Sequence, residues 1–312
     1  MSQEPTQWSA WQAISEKLFT QRSHLERDYR LTNRHRIGVF LLFLGCGLLV
    51  FVIFSHYFPA FEGKADIRRR VVVAMGFLAA ALAARRSERL KGYWPVLFAF
   101  FTALSAISID RYLSLSKWIL PMLDVKGGSL AGLAIEKLES SLLGIVVVLA
   151  LSRLAGQRPE SLYFRRGNLR LGLAVGLAAF VVMGAAAIPI AELFFKGVNL
   201  SWARVLSWTP WVLICVLSNA SNEELVFRGL FLGKMEPFLG RFATNLVTTI
   251  PFVLMHAFAD YTPDMFVFLV LQLLPLSMAW CWLMQKTNSI WGSILFHAAM
   301  DIPIFVGLFS RM

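Results

Sequence analysis

The residues of this chain that are best suited to take part in a chemical reaction are a few ionisable side chains inside long apolar segments. Glu223 and Glu224 end one such segment, His256 interrupts a second, and His297 lies in a third. An ionisable side chain in a membrane span costs roughly 2.5–3.5 kcal/mol even on insertion scales, so such residues are candidates for function. A carboxylate and an imidazole that reach one water can deprotonate it as it attacks an amide carbonyl. This combination predicts hydrolysis with water as the nucleophile.

Helical spacing assigns these side chains their first neighbours. Glu224 and Arg228 are four positions apart, so they share a helix face and can neutralise one another. His297 and Asp301 share a face in the same way, whereas Glu223 is rotated about 100° from Glu224 and meets a different neighbour. We expect the polar faces of the three segments to enclose one cavity, because that arrangement hides the ionisable groups from lipid.

The composition predicts a membrane protein. Of the 312 residues, 57% are hydrophobic and only 16% are charged, compared with about 25% charged residues in an average soluble domain. The net charge of +11 could suggest a nucleic-acid binder, but the basic residues form short clusters between apolar runs, as they do in polytopic membrane proteins. We therefore expect the lipid bilayer as a partner and no nucleic acid. The three cysteines show neither disulfide nor zinc-ribbon spacing.

The apolar runs predict an all-α bundle of eight or nine transmembrane helices, since a span needs about 20 residues. The clear candidates are 37–58, 92–109, 171–191, 205–222, 242–259, 265–285 and 289–309. The shorter candidates are 71–84 and 140–152. Gly172 and Gly176 form a small-xxx-small pair that would let another helix approach closely. The distribution of Lys and Arg favours a multi-pass protein of the cell membrane with a cytoplasmic N-terminus.

The chain divides into three predicted segments. Residues 1–36 are polar and cytoplasmic, either a mobile tail or an amphipathic helix at the membrane interface. The helix is suggested by the spacing of Trp8, Trp11, Ile14, Leu18 and Phe19. Residues 37–160 contain membrane spans without a recognised motif. Residues 161–312 form the membrane domain with the candidate site residues, all of which lie within 200–312.

The order of three short motifs resembles that of a known family. The sequence reads Glu-Glu-x-x-x-Arg, then Phe-x-x-x-His and then His-x-x-x-Asp on successive apolar segments. This order is similar to that of the CAAX protease and bacteriocin-processing family of intramembrane glutamate-type endopeptidases, over about residues 200–312. The resemblance implies a polar intramembrane cavity and cleavage of a membrane-associated or lipidated peptide, with no metal and no other cofactor.

The resemblance also implies a role for each motif residue. Glu223 would be the general base and would act with His256 on the water. Glu224 and Arg228 would support the helix and orient the base.

The two residues of the last motif, His297 and Asp301, would form the oxyanion hole by the same resemblance. Position 301 is typically Asn in the prenyl-protein proteases of the family, whereas this chain has Asp301. An ionised carboxylate cannot donate a hydrogen bond, so Asp301 would fill the role only when protonated. Bacterial relatives tolerate Asp there, so this difference weakens the expectation of a prenylated substrate more than the expectation of a protease.

Three other functions could use the same side chains. Glu223, His256 and His297 could bind zinc in a metalloprotease, which metal chelation would inactivate. A non-catalytic scaffold or immunity-type membrane protein could keep the polar cavity to bind a peptide or partner, and would retain function in Glu223→Ala. A proton-coupled carrier could use the carboxylates as a relay.

Overall fold

The computed structural model describes residues 33–55, 63–257 and 268–312, and the regular elements within them are all helical, as predicted. The helices of the first half are α1 (Asn33–Leu48), α2 (Gly63–Arg86), α3 (Trp94–Tyr112), α4 (Ser116–Met122) and α5 (Leu130–Leu154). Those of the second half are α6 (Leu169–Ala185), α7 (Ala187–Phe194), α8 (Trp202–Glu223), α9 (Leu232–Leu239), α10 (Arg241–His256), α11 (Leu274–Thr287) and α12 (Trp291–Phe309). The amphipathic helix predicted near the N-terminus lies outside the described residues.

Wider π-helical turns extend three of these helices. One turn follows α1 at Leu49–Ile53, one follows α8 at Glu224–Gly229, and one precedes α11 at Phe268–Leu273. A short 3₁₀ turn, Pro159–Leu162, lies between α5 and α6. The turn after α8 contains two of the predicted site residues.

Four helical segments of the described chain are long and apolar enough to span a bilayer: Asn33–Ile53, Trp94–Tyr112, Phe268–Thr287 and Trp291–Phe309. Helices α6 and α7 together make a fifth candidate, which is bent by 69° at the break between them. The other predicted spans coincide with helices that do not meet the requirements of length, hydropathy and low charge together; α10, for example, has 16 residues. The total of eight or nine spans therefore stays a prediction.

Side-chain caps fix where several of the helices begin. Ser129, Asn168 and Ser201 precede α5, α6 and α8, and each accepts a hydrogen bond from the backbone N–H three residues further on. Such a cap satisfies one of the N–H groups that a helix start leaves without an intrahelical partner. The cap at Ser201 sets the start of α8, whose last residue is Glu223.

Helices α2 and α3 are joined by a buried cluster around Asp66. Its carboxylate accepts hydrogen bonds from Arg70 Nε at 2.8 Å and from the Tyr112 hydroxyl, and Arg111 Nε lies 3.3 Å away. Arg70 is only 3% exposed. This arginine therefore belongs to the interior of the bundle, not to a loop.

Glycines allow α6 and α12 to pack closely. A Cβ added to Gly292 would lie 2.5 Å from the Cα of Gly172, and a Cβ added to Gly176 would lie 2.5 Å from the Cβ of Leu295. The close approach expected from the small-xxx-small pair is thus confirmed. Because small residues let helix backbones approach one another, these contacts fix α12, which contains His297 and Asp301.

We expect Gly176→Ala to destabilise the protein, because its added methyl group would overlap the Cβ of Leu295. A Cβ cannot move away by rotation of its side chain. Overpacking of this kind costs about 1–3 kcal/mol. Thermal unfolding of the purified protein in detergent, together with the monodisperse yield, measures the effect.

Gly184→Ala is the matched control, since Gly184 lies in the same helix and a Cβ there would meet nothing within 4 Å. Replacement of an open helical glycine by alanine stabilises by up to about 1 kcal/mol. Equal unfolding temperatures for the two variants would contradict the close contact of α6 with α12.

Candidate active site

The polar residues of the first motif lie where α8 widens into its π-helical turn. Glu223 is the last residue of α8, and Glu224 begins the turn Glu224–Gly229, all of whose residues are buried. The side chains of Glu224 and Arg228 are both 0% exposed. Charged groups are therefore held inside the protein at a local irregularity of the helix, a feature that is frequent at functional sites.

The Glu224 carboxylate is fully engaged by protein groups. Its Oε1 accepts from Arg228 Nη1 at 2.8 Å, and the same oxygen lies 2.8 Å from Nδ1 of His297. Its Oε2 accepts from the hydroxyl of Ser293 at 2.5 Å. The ion pair expected from the i, i+4 spacing is confirmed. Two side chains of α12, His297 and Ser293, also donate hydrogen bonds to the same carboxylate.

The Arg228 guanidinium connects the turn after α8 to α10 and α11. Its Nη2 donates to Ser277 Oγ at 2.7 Å, and Ser277 in turn donates to Thr249 Oγ1 at 2.9 Å. The guanidinium carbon also lies 4.3 Å from the ring centre of Phe252 and 5.1 Å from that of Trp280. Cation–π contacts of this kind are strongest where the cation is desolvated. Sequence reasoning missed Ser277, Thr249 and Trp280, whose only signal is their presence in apolar segments.

The His297 ring links the two glutamates of the first motif. It stacks on Trp280 at 3.8 Å, and its Nδ1 donates to Glu224, because a carboxylate can only accept. Its Nε2 lies 3.5 Å from Glu223 Oε2 and 3.8 Å from Asp301 Oδ1. With Nδ1 protonated, Nε2 of the neutral ring carries a lone pair, and it donates only in the imidazolium form.

Glu223 differs from Glu224 in exposure and in partners. Its side chain is 17% exposed, compared with 0% for Glu224. Among the described residues no group donates a hydrogen bond to Glu223 Oε2, although His297 lies nearby. Glu224 thus accepts hydrogen bonds at both oxygens, whereas the Glu223 side chain is partly exposed and its buried Oε2 receives none from the described residues.

Glu223 lines a pocket of about 120 Å³ between α3, α5 and α8. Its polar lining residues include Asp110, Lys137, Ser140, Asn219, Asn222 and Glu223. Glu223 is the one predicted site residue among those that line this pocket. The upstream helices α3 and α5, in which no motif was recognised, therefore supply polar groups beside it. The sequence offers only a weak signal for them: Asp110 directly follows the predicted span 92–109, and Lys137 precedes the shorter run 140–152.

His256 lies apart from the network around Glu224. Its Nδ1 donates to the carbonyl oxygen of Phe252 at 2.7 Å, within its own helix. This bond leaves Nε2 of the neutral ring with its lone pair. The Phe252 ring lies 4.6 Å from the His256 ring and 6.0 Å from the His297 ring, so it lies beside both histidines.

Asp301 accepts a hydrogen bond from a residue that the sequence did not single out. Asn219 Nδ2 donates to Asp301 Oδ2 at 3.0 Å, and Lys137 Nζ donates to Asn219 Oδ1 at 3.3 Å. Asp301 therefore acts as an acceptor toward α8. The structure brings five of the six predicted residues into one network through Glu224 and His297, and His256 adjoins it through Phe252.

Metal binding was an alternative reading of the same side chains. Within residues 33–55, 63–257 and 268–312, no group of three or more His, Cys, Asp or Glu side chains is arranged to hold a metal ion. Chelation of the purified protein is the direct test.

Comparison with known families supports the order of motifs. Residues 205–303, which run from α8 into α12, match the family model described as Type II CAAX prenyl endopeptidase Rce1-like. No curated protein and no solved structure matches the chain. The matched segment contains all six candidate residues, and the match confirms the resemblance drawn from the motifs: residues 205–303 are similar to the Rce1-like type II CAAX prenyl endopeptidase family.

Proposed function

We propose that this protein is a multi-pass intramembrane endopeptidase of the CAAX-processing type, which hydrolyses a peptide bond of a membrane-associated or lipidated substrate. The observation that supports it best is the unequal environment of two adjacent carboxylates. Glu224 is saturated by Arg228, His297 and Ser293. Glu223 lines the pocket with a partly exposed side chain, and its buried Oε2 beside His297 receives no hydrogen bond from the described residues.

Glu223 is the proposed general base. It accepts a proton from water as the water oxygen bonds to the carbonyl carbon, and the carbonyl π electrons move to oxygen to form an oxyanion. Collapse of this intermediate restores the C=O bond and breaks the C–N bond. The proton held by Glu223 passes to the departing amine, so the reaction consumes one water and regenerates the carboxylate.

The two histidines have different proposed roles. The Phe252 carbonyl holds the proton of His256 on Nδ1, so Nε2 is available to accept a hydrogen bond from the attacking water. His297 orients Glu223 from the other side, because its ring is fixed by Glu224 and by stacking on Trp280. Asp301 completes this side of the site, where it lies 3.8 Å from His297 Nε2.

Glu224 and Arg228 are positioning residues in this proposal. Their contacts extend to Ser277 on α11 and to Ser293 on α12. Breaking a buried pair of this kind is destabilising by about 3–5 kcal/mol, because it leaves an uncompensated charge. Their function is to hold α8, α11 and α12 so that Glu223 and His297 stay within reach of one another.

The proposed substrate class follows from where the pocket lies. Helix α3, which supplies part of its wall, is apolar enough to span a bilayer, so the pocket lies beside a candidate membrane span, as a site for a membrane-anchored peptide requires. The family description adds prenylated peptides as one member of this class. The proposed orientation places the N-terminus in the cytoplasm at the cell membrane.

Glu223→Gln should abolish cleavage while leaving the fold intact. Loss of a general base reduces turnover by about 10²–10⁴-fold, and Glu223 makes few contacts that the fold needs. The assay is peptide cleavage by purified protein in detergent, against prenylated, acylated and unmodified membrane peptides, with product mass identifying the bond cut. Activity equal to that of the wild type would refute Glu223 as the base. A binding protein without catalysis would cleave no peptide in either form.

Glu224→Gln should reduce the amount of folded protein more than Glu223→Gln does. The substitution leaves Arg228 buried without its counter-charge, whereas the amide at position 223 faces the pocket. The unfolding temperature and the monodisperse fraction after detergent extraction separate the two variants. Equal stabilities would show that the buried pair contributes nothing to the fold.

Metal chelation should leave peptide cleavage unchanged. A glutamate-activated water needs no Lewis acid, whereas a zinc enzyme loses the group that generates its nucleophile. The measurement compares turnover before and after dialysis against a chelator, with metal content determined on the same sample. Loss of activity that returns when zinc is added would establish the metalloprotease alternative.

A further inference from the structure

We propose that Asn219 is a further catalytic residue, whose side-chain amide donates a hydrogen bond to the oxyanion formed during peptide hydrolysis. This inference rests on the proposed hydrolase function and adds a donor that the sequence motifs do not contain. It is supported by the orientation of the amide, by its position relative to Glu223 and by the hydrogen bonds that His297 and Asp301 of α12 already make.

The orientation of the Asn219 amide is determined by its two neighbours. The Lys137 ammonium can only donate, so the group that faces it at 3.3 Å is the amide oxygen. The amide nitrogen is thereby directed to Asp301 Oδ2 at 3.0 Å. One of its two hydrogens is used in that bond, and within the described part of the chain no acceptor takes the second.

Asn219 lies on the same face of α8 as the proposed base. It precedes Glu223 by four residues, which is about one helical turn. Both side chains line the same pocket and both are partly exposed within it. A carbonyl carbon attacked by water held at Glu223 would therefore have its oxygen within range of a donor from the preceding turn.

His297 and Asp301 on α12 each have one polar atom committed to another partner, and their remaining polar atoms are not donors in the neutral ring or the carboxylate. The Nδ1–H of His297 donates to Glu224, and Oδ2 of Asp301 accepts from Asn219. A carboxylate directed at a developing oxyanion would repel it, whereas a neutral amide stabilises it without a change of protonation. Asp301 is thus better placed to orient the donor than to be the donor.

Lys137 on α5 is a positioning residue in the same arrangement. Its charge lies on the oxygen side of the Asn219 amide, where it polarises the amide and strengthens the N–H donor. It also keeps the amide from rotating. Helix α5 thereby contributes to the site although it lies outside the segment matched to the family.

The test compares Asn219→Ala with wild type in the cleavage assay. We expect turnover to fall by about 10²–10³-fold, the usual effect of removing one oxyanion donor, while KM changes by less than about threefold because the ground state is bound as before. Binding of a peptide phosphinate, a tetrahedral anion, should weaken by about tenfold or more, while binding of an uncleavable amide analogue does not.

Asn245→Ala is the matched control, because Asn245 Nδ2 makes a 3.2 Å hydrogen bond to Gln285 between α10 and α11. That variant loses an amide contact of similar kind outside the pocket, and its turnover should stay near the wild-type value. Lys137→Met should reduce turnover, and Lys137→Arg should restore it because the charge is kept. Asn219→Leu, which keeps the branched side-chain shape without a donor or a charge, repeats the test if the alanine variant is unstable.

The outcomes separate this inference from the proposed function. Wild type that cleaves none of the peptides overturns the hydrolase and Asn219 together. Wild type that cleaves, with an inactive Glu223→Gln and with Asn219→Ala at unchanged turnover, overturns Asn219 alone. Equal losses of phosphinate and amide-analogue binding in Asn219→Ala would also overturn it, because they would indicate a structural role.

Discussion

The buried pair of Glu224 and Arg228 is the constraint on which the rest of this site depends. Neither side chain is exposed to solvent, and an uncompensated charge at such a depth costs several kcal/mol. The pair is therefore stable only with its full set of partners, among them Ser277 on α11 and Ser293 and His297 on α12. Satisfying one carboxylate and one guanidinium thus fixes three helices against one another.

That constraint also explains how adjacent, chemically identical residues acquire different surroundings. The donors that saturate Glu224 leave Glu223 at the edge of the pocket, beside His297 but without a hydrogen bond to Oε2 from the described residues. The imidazole that helps to hold the first carboxylate presents its other nitrogen to the second. In the proposed function, the carboxylate that holds the helices together and the carboxylate that acts as the base are therefore neighbours in sequence, at the point where α8 widens into its π-helical turn.

Much of the site could be predicted because helical spacing is a local property. The i, i+4 relation places Arg228 on Glu224 before any tertiary structure is known, and the same relation puts His297 and Asp301 on one face. The unusual placement of ionisable groups in apolar runs identifies the candidates, since lipid penalises each of them. The polar partners Ser277, Ser293 and Thr249 could not be recognised in this way, because hydroxyl groups occur in membrane helices for many structural reasons.

The sequence by itself determined the helical fold class that the described residues show, an apolar composition sufficient for membrane spans, and an order of motifs that resembles the CAAX protease family. Only the tertiary structure decided that Glu224 is saturated while Glu223 is not, that Asp301 accepts from Asn219, and that Lys137 of an upstream helix reaches the same group. The physical reason is the distance over which each effect acts. Helical periodicity and the free-energy cost of placing an ionisable side chain in lipid are properties of one helix. The donor that reaches a given carboxylate depends on how separate helices pack.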